Sequence, residues 1–157
     1  MLDPDPLPSR LAARNVIHLD PERAVFNAML EGWRAQQTAR YLKVPTMKAR
    51  ERLVRRFAEF TGQYPWQWTP AEAEAWVSEL RSGVKPLTVS TLRGYEIDIK
   101  LFCEYLTDTR YPWMAECEKR FGMAPKQVFH EDNSIVHVSD FEGDAGRLGD
   151  QLRRRND

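Results

Sequence analysis

The sequence predicts an all-α fold, a compact bundle of four or five helices with a flexible tail at each end. Apolar residues recur at helical spacing in five segments between residues 20 and 124, and short stretches with proline and glycine separate these segments. No two segments alternate in the way that a strand pair requires. At 157 residues with 42% apolar side chains, the chain can bury one core of ordinary size.

The chain divides into three predicted parts. Residues 1–19 contain several prolines and little periodicity, so we expect a flexible N-terminal segment. Residues 20–124 form the helical domain. Residues 125–157 show no sustained period, apart from a short extended segment predicted at residues 135–138, so we expect a linker and a tail.

The first two predicted helices both start near a proline. Asp20 is a suitable cap with Pro21 at the first helical position, and this helix extends to about Arg40. The second helix is predicted to begin with Thr46 as its cap and to end at Gly62, since glycine commonly follows the last helical residue. Their apolar stripes comprise Phe26, Met29, Leu30 and Trp33, and then Leu53, Val54, Phe57 and Phe60.

Three further helices follow. Thr69 and Glu72 have the spacing of a capping box, so the third helix is predicted to start there and to stop at Gly83. The fourth is apolar on nearly all sides, which is typical of a central helix. The fifth is predicted from Trp113 to Phe121. The apolar residues of the fourth helix are Leu92, Tyr95, Ile99, Phe102, Cys103 and Leu106 on one side, and Ile97, Leu101 and Tyr105 on the other.

A formal net charge of zero conceals an uneven distribution. Residues 34–56 contain a single acidic residue, Glu51, among many basic ones. Residues 131–144 contain acidic residues and no lysine or arginine. The basic residues of the first segment are Arg34, Arg40, Lys43, Lys48, Arg50, Arg52, Arg55 and Arg56.

Three of these cations, Lys48, Arg52 and Arg55, fall on the side of the second helix that is opposite its apolar stripe. Arg50 falls beside the stripe, where its stem can pack while its guanidinium stays free. Like charges four residues apart on a helix cost about 0.2–0.5 kcal/mol per pair. Either this face is only solvated, with Glu51 partly offsetting its charge, or it lies against something anionic.

The start of the fourth helix is a second candidate feature. It gathers cations, short hydroxyl side chains and a glycine that permits close approach: Lys85, Thr88, Ser90, Thr91, Arg93 and Gly94. Backbone N–H groups, hydroxyls and the positive end of a helix dipole together suit phosphate oxygens. The alternative is that Thr88 or Ser90 simply caps the helix. In our interpretation the N-terminal half of the second helix is a phosphate-facing and groove-facing surface beside residues 88–93. For Arg55 and Arg56 the alternative of a merely solvated flank stays open.

Four stretches between residues 20 and 143 share their order and their motifs with a known family. They are FNAMLEGWRAQQTARYL, TMKARERLVRRFAEFTGQYPWQWTPAEAEAWVSEL, LTVSTLRGYEIDIKLFCEYL and HVSDFEG. They combine a basic helix led by threonine, a Trp-Thr-Pro helix start, and a helix that spaces Ser90 and Thr91 from Tyr95 and Phe102. This combination resembles the N-terminal part of tyrosine recombinases of the phage-integrase family, in particular the actinobacterial type.

The resemblance implies a SAM-like core-binding domain, one half of a clamp around duplex DNA, with its second and fourth helices toward the major groove and the backbone. It implies double-stranded DNA as the partner, and self-association on DNA or contact with a full-length recombinase as further associations. The predicted DNA-binding residues are Lys43, Thr46, Lys48, Arg50, Arg52, Arg55, Lys85, Thr88, Ser90, Thr91 and Arg93.

The catalytic residues of that family have no counterpart here. Family members continue into a domain with an Arg, a Lys, a His-x-x-Arg motif and the Tyr nucleophile. None of His18, His130 and His137 has an arginine three residues later, and the sequence ends at Asp157, where that domain would be starting. We therefore expect a truncated recombinase module that cleaves no DNA by itself and has no catalytic residues.

Other classes of function are disfavoured. Cys103 and Cys117 belong to no C-x-x-C unit, so we expect no metal, no disulfide framework and no cofactor. No apolar run reaches the length of a membrane span and the first residues lack the features of a secretion signal, so we expect a cytoplasmic protein that contacts no membrane. No nucleophile, base and orienting group can be assembled by motif, so we expect no small-molecule substrate.

The alternative function is a helical protein-interaction or oligomerisation module. Aromatic residues are common at interfaces, and the tryptophans could mark such a surface. They could equally pack in the core of a small bundle. The residues in question are Trp66, Trp68, Trp76 and Trp113.

Overall fold

The computed structural model describes residues 20–129, which form five α-helices and no strand within that range. The helices are α1 (Pro21–Ala39), α2 (Val44–Thr61), α3 (Pro70–Ser82), α4 (Val89–Thr107) and α5 (Trp113–Phe121), with a 3₁₀ turn (Pro65–Gln67) between α2 and α3. The predicted all-α class is confirmed. The predicted flexible segment 1–19, and the stretch 135–138 with the rest of the predicted tail from residue 130, lie outside the described residues.

Side-chain caps fix the starts of three helices. Asp20 Oδ1 accepts a hydrogen bond from the backbone N–H of Arg23 at 3.1 Å. At α3 the Thr69 hydroxyl accepts from the Glu72 N–H at 3.3 Å while the Glu72 carboxylate accepts from the Thr69 N–H at 3.1 Å, which completes the predicted capping box. Thr88 caps α4. Each such cap stabilises its helix by about 1 kcal/mol.

The predicted start of the second helix is wrong. Helix α2 begins at Val44, and Thr46 lies within its first turn instead of capping it. The N-cap is Lys43, whose side chain makes no capping hydrogen bond. Pro45 does not block this start, because the first residues of a helix have no intrahelical acceptor for their N–H groups and a missing N–H therefore costs nothing there.

Helix α4 lies at the centre of the bundle and contacts each of the other four helices. Around it the core is largely aromatic. The Phe57 ring packs against Trp68 and Trp76 with centroids 4.7 and 5.1 Å apart, and Trp33 packs against Phe102 at 5.0 Å. Burying each of these side chains contributes roughly 1.5–3 kcal/mol.

The folded domain continues past the predicted boundary at residue 124. Val128 and Phe129 are buried, and the Phe129 ring packs against Phe57 with centroids 6.2 Å apart. The Gln127 side chain donates to the backbone carbonyl of Lys100 at 3.0 Å and so ties this segment to α4. Assigning residues 125–129 to a linker is therefore wrong. Two buried residues in an extended segment have no periodicity by which the sequence could reveal them.

A glycine on α1 allows three helices to meet. A β-carbon at Gly32 would collide with the Tyr105 hydroxyl of α4. That hydroxyl accepts a buried hydrogen bond from the Trp113 Nε1–H of α5 at 2.9 Å. The Tyr105 ring cannot swing away without breaking this bond and disturbing its packing on Tyr111 at 4.6 Å.

We predict that Gly32→Ala destabilises the domain by about 1–3 kcal/mol, because overpacking and the strained hydrogen bond outweigh the helix preference of alanine. Gly94→Ala is the matched control, since a β-carbon at Gly94 on α4 meets nothing within 4 Å. That change should stabilise by about 0.5–1 kcal/mol. Urea unfolding measures both variants, and a shift of the same sign in the two would contradict the predicted collision.

Candidate nucleic-acid interface

Two contacts set the relative direction of α2 and α4. Arg50 Nε lies 3.3 Å from Asp98 Oδ1, and the Arg56 guanidinium lies over the Tyr95 ring, 5.7 Å from its centroid. Residue numbers rise along α2 while those of the partners fall along α4, so the two helices run antiparallel. The N-terminus of α4 therefore lies beside the C-terminal half of α2.

This direction corrects the predicted phosphate-facing surface. At 1.5 Å per residue from these two contacts, Lys48 and Thr91 are separated by roughly 13–18 Å along the helix axes, whereas Arg56 and Thr91 are separated by only about 2–6 Å. The two predicted clusters are thus the two ends of one face instead of a single spot. Each strand of a duplex carries one phosphate per roughly 3.4 Å of helix axis. This face is therefore long enough to contact several phosphates.

Five side chains define the α2–α4 face: Lys48, Arg52 and Arg56 on α2, and Ser90 and Thr91 at the start of α4. All five are exposed. Within residues 20–129, Lys48 and Arg52 make no hydrogen bond or ion pair. Their charges are therefore available to an external anion.

Arg50 does not lie on the exposed α2–α4 face. Its Nη1 donates to Gln37 Oε1 at 3.0 Å, and its Nε faces the Asp98 carboxylate. Gln37 is itself buried and donates to the Trp33 carbonyl at 3.3 Å. The expectation of a free guanidinium is wrong, because this group joins α1, α2 and α4. Burial raises the pKa of the Asp98 carboxyl, and Arg50 opposes that rise.

Arg55 and Arg56 lie on opposite flanks of α2. Arg55 faces α1, where its Nη2 donates to Asn27 Oδ1 at 3.2 Å and to Glu51 Oε1 at 3.4 Å. Its guanidinium also lies 5.8 Å from the Phe26 centroid. Adjacent residues point about 100° apart on a helix, so only one of the two arginines can face α4, and that residue is Arg56. The sequence pattern groups Arg55 with Lys48 and Arg52 because helical periodicity does not reveal which neighbouring helix lies on which flank.

Some polar groups at the start of α4 are engaged in capping the helix. The Thr88 hydroxyl accepts from the Thr91 N–H at 3.3 Å, so Thr88 rather than Ser90 caps the helix. The two threonine hydroxyls also bond to each other at 3.0 Å. Ser90 is exposed, Lys85 is exposed in the connector before the helix, and Arg93 is half-buried. Thr88 and Gly94 are exposed as well, so the cap engages the Thr88 hydroxyl without removing this cluster from solvent.

The start of α2 differs in having no side-chain cap. The first-turn N–H groups of a helix need an external acceptor when no side chain provides one. Lys43, Thr46 and Lys48 surround this terminus, and all three are exposed. A phosphate oxygen would satisfy these N–H groups and would meet the positive end of the helix dipole.

Comparison with protein-family models, with curated proteins and with solved structures finds no match for this chain. No helix between residues 20 and 129 has both the length and the apolar character needed to cross a membrane. In the same part of the chain, no three His, Cys, Asp or Glu side chains come together as a metal site would require. The interpretation of the cationic face therefore depends on its own residues and contacts.

We predict that Arg50→Met destabilises the domain by about 1–3 kcal/mol, because it leaves the Asp98 carboxylate and the Gln37 amide in a largely buried position without their partner. Arg50 is also the group that lowers the pKa of Asp98, so this pKa should rise further in the variant. The folded variant then binds a proton more readily than the unfolded chain does, and its stability falls as the pH rises through the raised pKa.

Urea unfolding at pH 5 and pH 7 tests this prediction, with the larger loss of stability expected at the higher pH, because a raised pKa for Asp98 favours the folded variant only while the carboxyl keeps its proton. Arg52→Met is the matched control, because the Arg52 side chain is exposed, and it should change stability by no more than about 0.5 kcal/mol at either pH. A loss for Arg50→Met that is no larger than the loss for Arg52→Met would contradict the assignment.

Proposed function

We propose that the domain binds duplex DNA through the α2–α4 face, as the core-binding module of a tyrosine recombinase. The observation that carries this proposal is the presence of Lys48 and Arg52, four residues apart on one exposed face, without an acidic partner. Their mutual repulsion costs stability in the free domain. A phosphate backbone would neutralise both charges and attract them. The sequence resemblance favours the same pair of helices.

In this proposal the face holds the DNA backbone rather than reading many bases. Lys48 and Arg52 neutralise phosphates, and Arg56, already held over Tyr95, presents its guanidinium with little further loss of freedom. Ser90 and Thr91 supply hydroxyl donors at the other end. With four or five phosphates contacted, the logarithm of the binding constant should fall with the logarithm of salt concentration with a slope of roughly −4.

The proposal assigns no catalytic step to the described residues. Burial raises the pKa of the Cys103 and Cys117 thiols to about 12, so neither is a nucleophilic thiolate at neutral pH. Strand cleavage would require the Arg, Lys, His-x-x-Arg and Tyr set of the family, for which the sequence offers no counterpart.

The alternative of a tryptophan-marked interaction surface loses its supporting observation. Trp66, Trp68, Trp76 and Trp113 are only 1, 0, 3 and 4% exposed. Trp66 stacks on Phe121 with centroids 4.3 Å apart, and the other three also pack within the bundle. These side chains contribute to the core and are not available to a partner.

We predict that Lys48→Glu combined with Arg52→Glu abolishes binding to a duplex at low salt. The double variant Arg23→Glu with Lys126→Glu is the control, since both residues are exposed, lie outside the α2–α4 face and give the same change in net charge. It should bind within about threefold of the unaltered protein, because phosphate contact depends on position and not on net charge alone. Equal losses in the two variants, or binding that is independent of salt, would contradict the proposal.

A second prediction separates the two adjacent arginines. Arg56→Gln should weaken duplex binding several-fold and reduce the salt slope by about one phosphate, or roughly 0.9. Arg55→Gln should leave both quantities unchanged, because Arg55 is engaged with Asn27, Glu51 and Phe26 on the α1 side. Fluorescence anisotropy across a salt series measures both variants, and a larger effect from Arg55 would place the interface on the opposite flank.

A further inference from the structure

The turn between α1 and α2 holds a tyrosine where glycine is preferred. The Leu42 N–H donates to the Gln37 carbonyl at 3.1 Å and the Tyr41 N–H donates to the Thr38 carbonyl at 3.0 Å, the two hydrogen bonds of a Schellman motif. In this motif the residue after the C-cap adopts a left-handed conformation, and Tyr41 has φ 63°. A side chain with a β-carbon is strained there, whereas glycine is not.

The Tyr41 side chain offsets none of this strain within the folded domain. It is 94% exposed, and its ring and hydroxyl contact no other described residue through a ring contact or hydrogen bond. Because no contact within the folded domain offsets this strain, we expect a role of Tyr41 in binding another molecule. A large aromatic ring held away from the surface has the form of a contact residue.

The surroundings of this ring are cationic. Arg40 precedes it and Lys43 follows two residues later, and both side chains are exposed. Hydrogen bonds from Arg110, with a smaller contribution from the charge of Arg40, lower the pKa of the Asp108 carboxyl to about 2. Asp108, the acidic residue near Arg40, is therefore already paired with Arg110. An aromatic ring between exposed cations is the combination that binds nucleobases and their phosphates.

We propose that Tyr41 stacks on an unpaired base of DNA while Arg40 and Lys43 contact the flanking phosphates. This inference rests on the proposed function, because Lys43 is also the N-cap of α2 and thus places the ring at one end of the α2–α4 face. A paired base in a regular duplex is already stacked on its neighbours, so the ring selects DNA whose strands are separated or distorted at that end of the face.

Three variants of the full chain test this role. Tyr41→Gly and Tyr41→Asn remove the ring and suit the left-handed conformation, and Tyr41→Phe keeps both the ring and the strain. The first two should raise the melting temperature by about 3–6 °C, and the third should leave it unchanged. Raised stability excludes misfolding as the cause of any loss in binding.

The probes are a short single-stranded oligothymidylate, a fully paired duplex of about 30 base pairs, and the same duplex with a small central bubble of unpaired bases. Tyr41→Gly and Tyr41→Asn should bind the single strand and the bubble about tenfold more weakly, since one stacked base is lost, and should bind the paired duplex within twofold. Tyr41→Phe should bind all three probes normally. Unchanged binding to the bubble, or an equal loss on the paired duplex, would overturn the inference.

The two proposals fail in different ways. If paired-duplex binding resists the Lys48→Glu and Arg52→Glu changes, the proposed function fails, yet a loss confined to unpaired probes in Tyr41→Gly would still support the stacking role. If duplex binding depends on Lys48 and Arg52 while every Tyr41 variant binds the bubble normally, the stacking role alone fails.

Discussion

The antiparallel packing of α2 against α4 decides which cations of the basic helix meet solvent. Phe57 and Phe102 both pack on Trp68 between these helices, and burial of such rings provides most of the stabilising free energy. The half-buried pair of Arg50 and Asp98 adds less to stability than to register, because removing charge from water offsets much of its attraction. With that register fixed, Lys48, Arg52 and Arg56 lie on one side.

The candidate site is built at a cost to stability. Lys48 repels Arg52, and Arg52 repels Arg56, by about 0.2–0.5 kcal/mol per pair. Tyr41 occupies a position that favours glycine, and its exposed ring gains nothing from packing. These costs all occur along α2 and the turn before it. A DNA partner would explain why the costs share one location.

Much of the fold could be predicted from local patterns, because caps and apolar stripes act within one or two turns. The Thr69 capping box and the span of α5 are examples. The site could be predicted only in part, since the roles of Arg50, Arg55 and Arg56 depend on which helix lies beside each flank. The burial of Phe129 and the left-handed conformation of Tyr41 depend on tertiary packing and turn geometry, which leave no periodic signal in the sequence.

Amide chemical-shift mapping with a paired duplex tests the central claim most directly, because it reports every residue of the domain at once. At low salt we predict chemical-shift changes along the exposed side of α2 and at residues 88–91, and these changes should fade as salt is added. Helix α5 and the segment 125–129 should stay unperturbed. Shifts centred on α5 or on the α1 flank around Arg55, or no shifts at low salt, would contradict the assignment of the α2–α4 face.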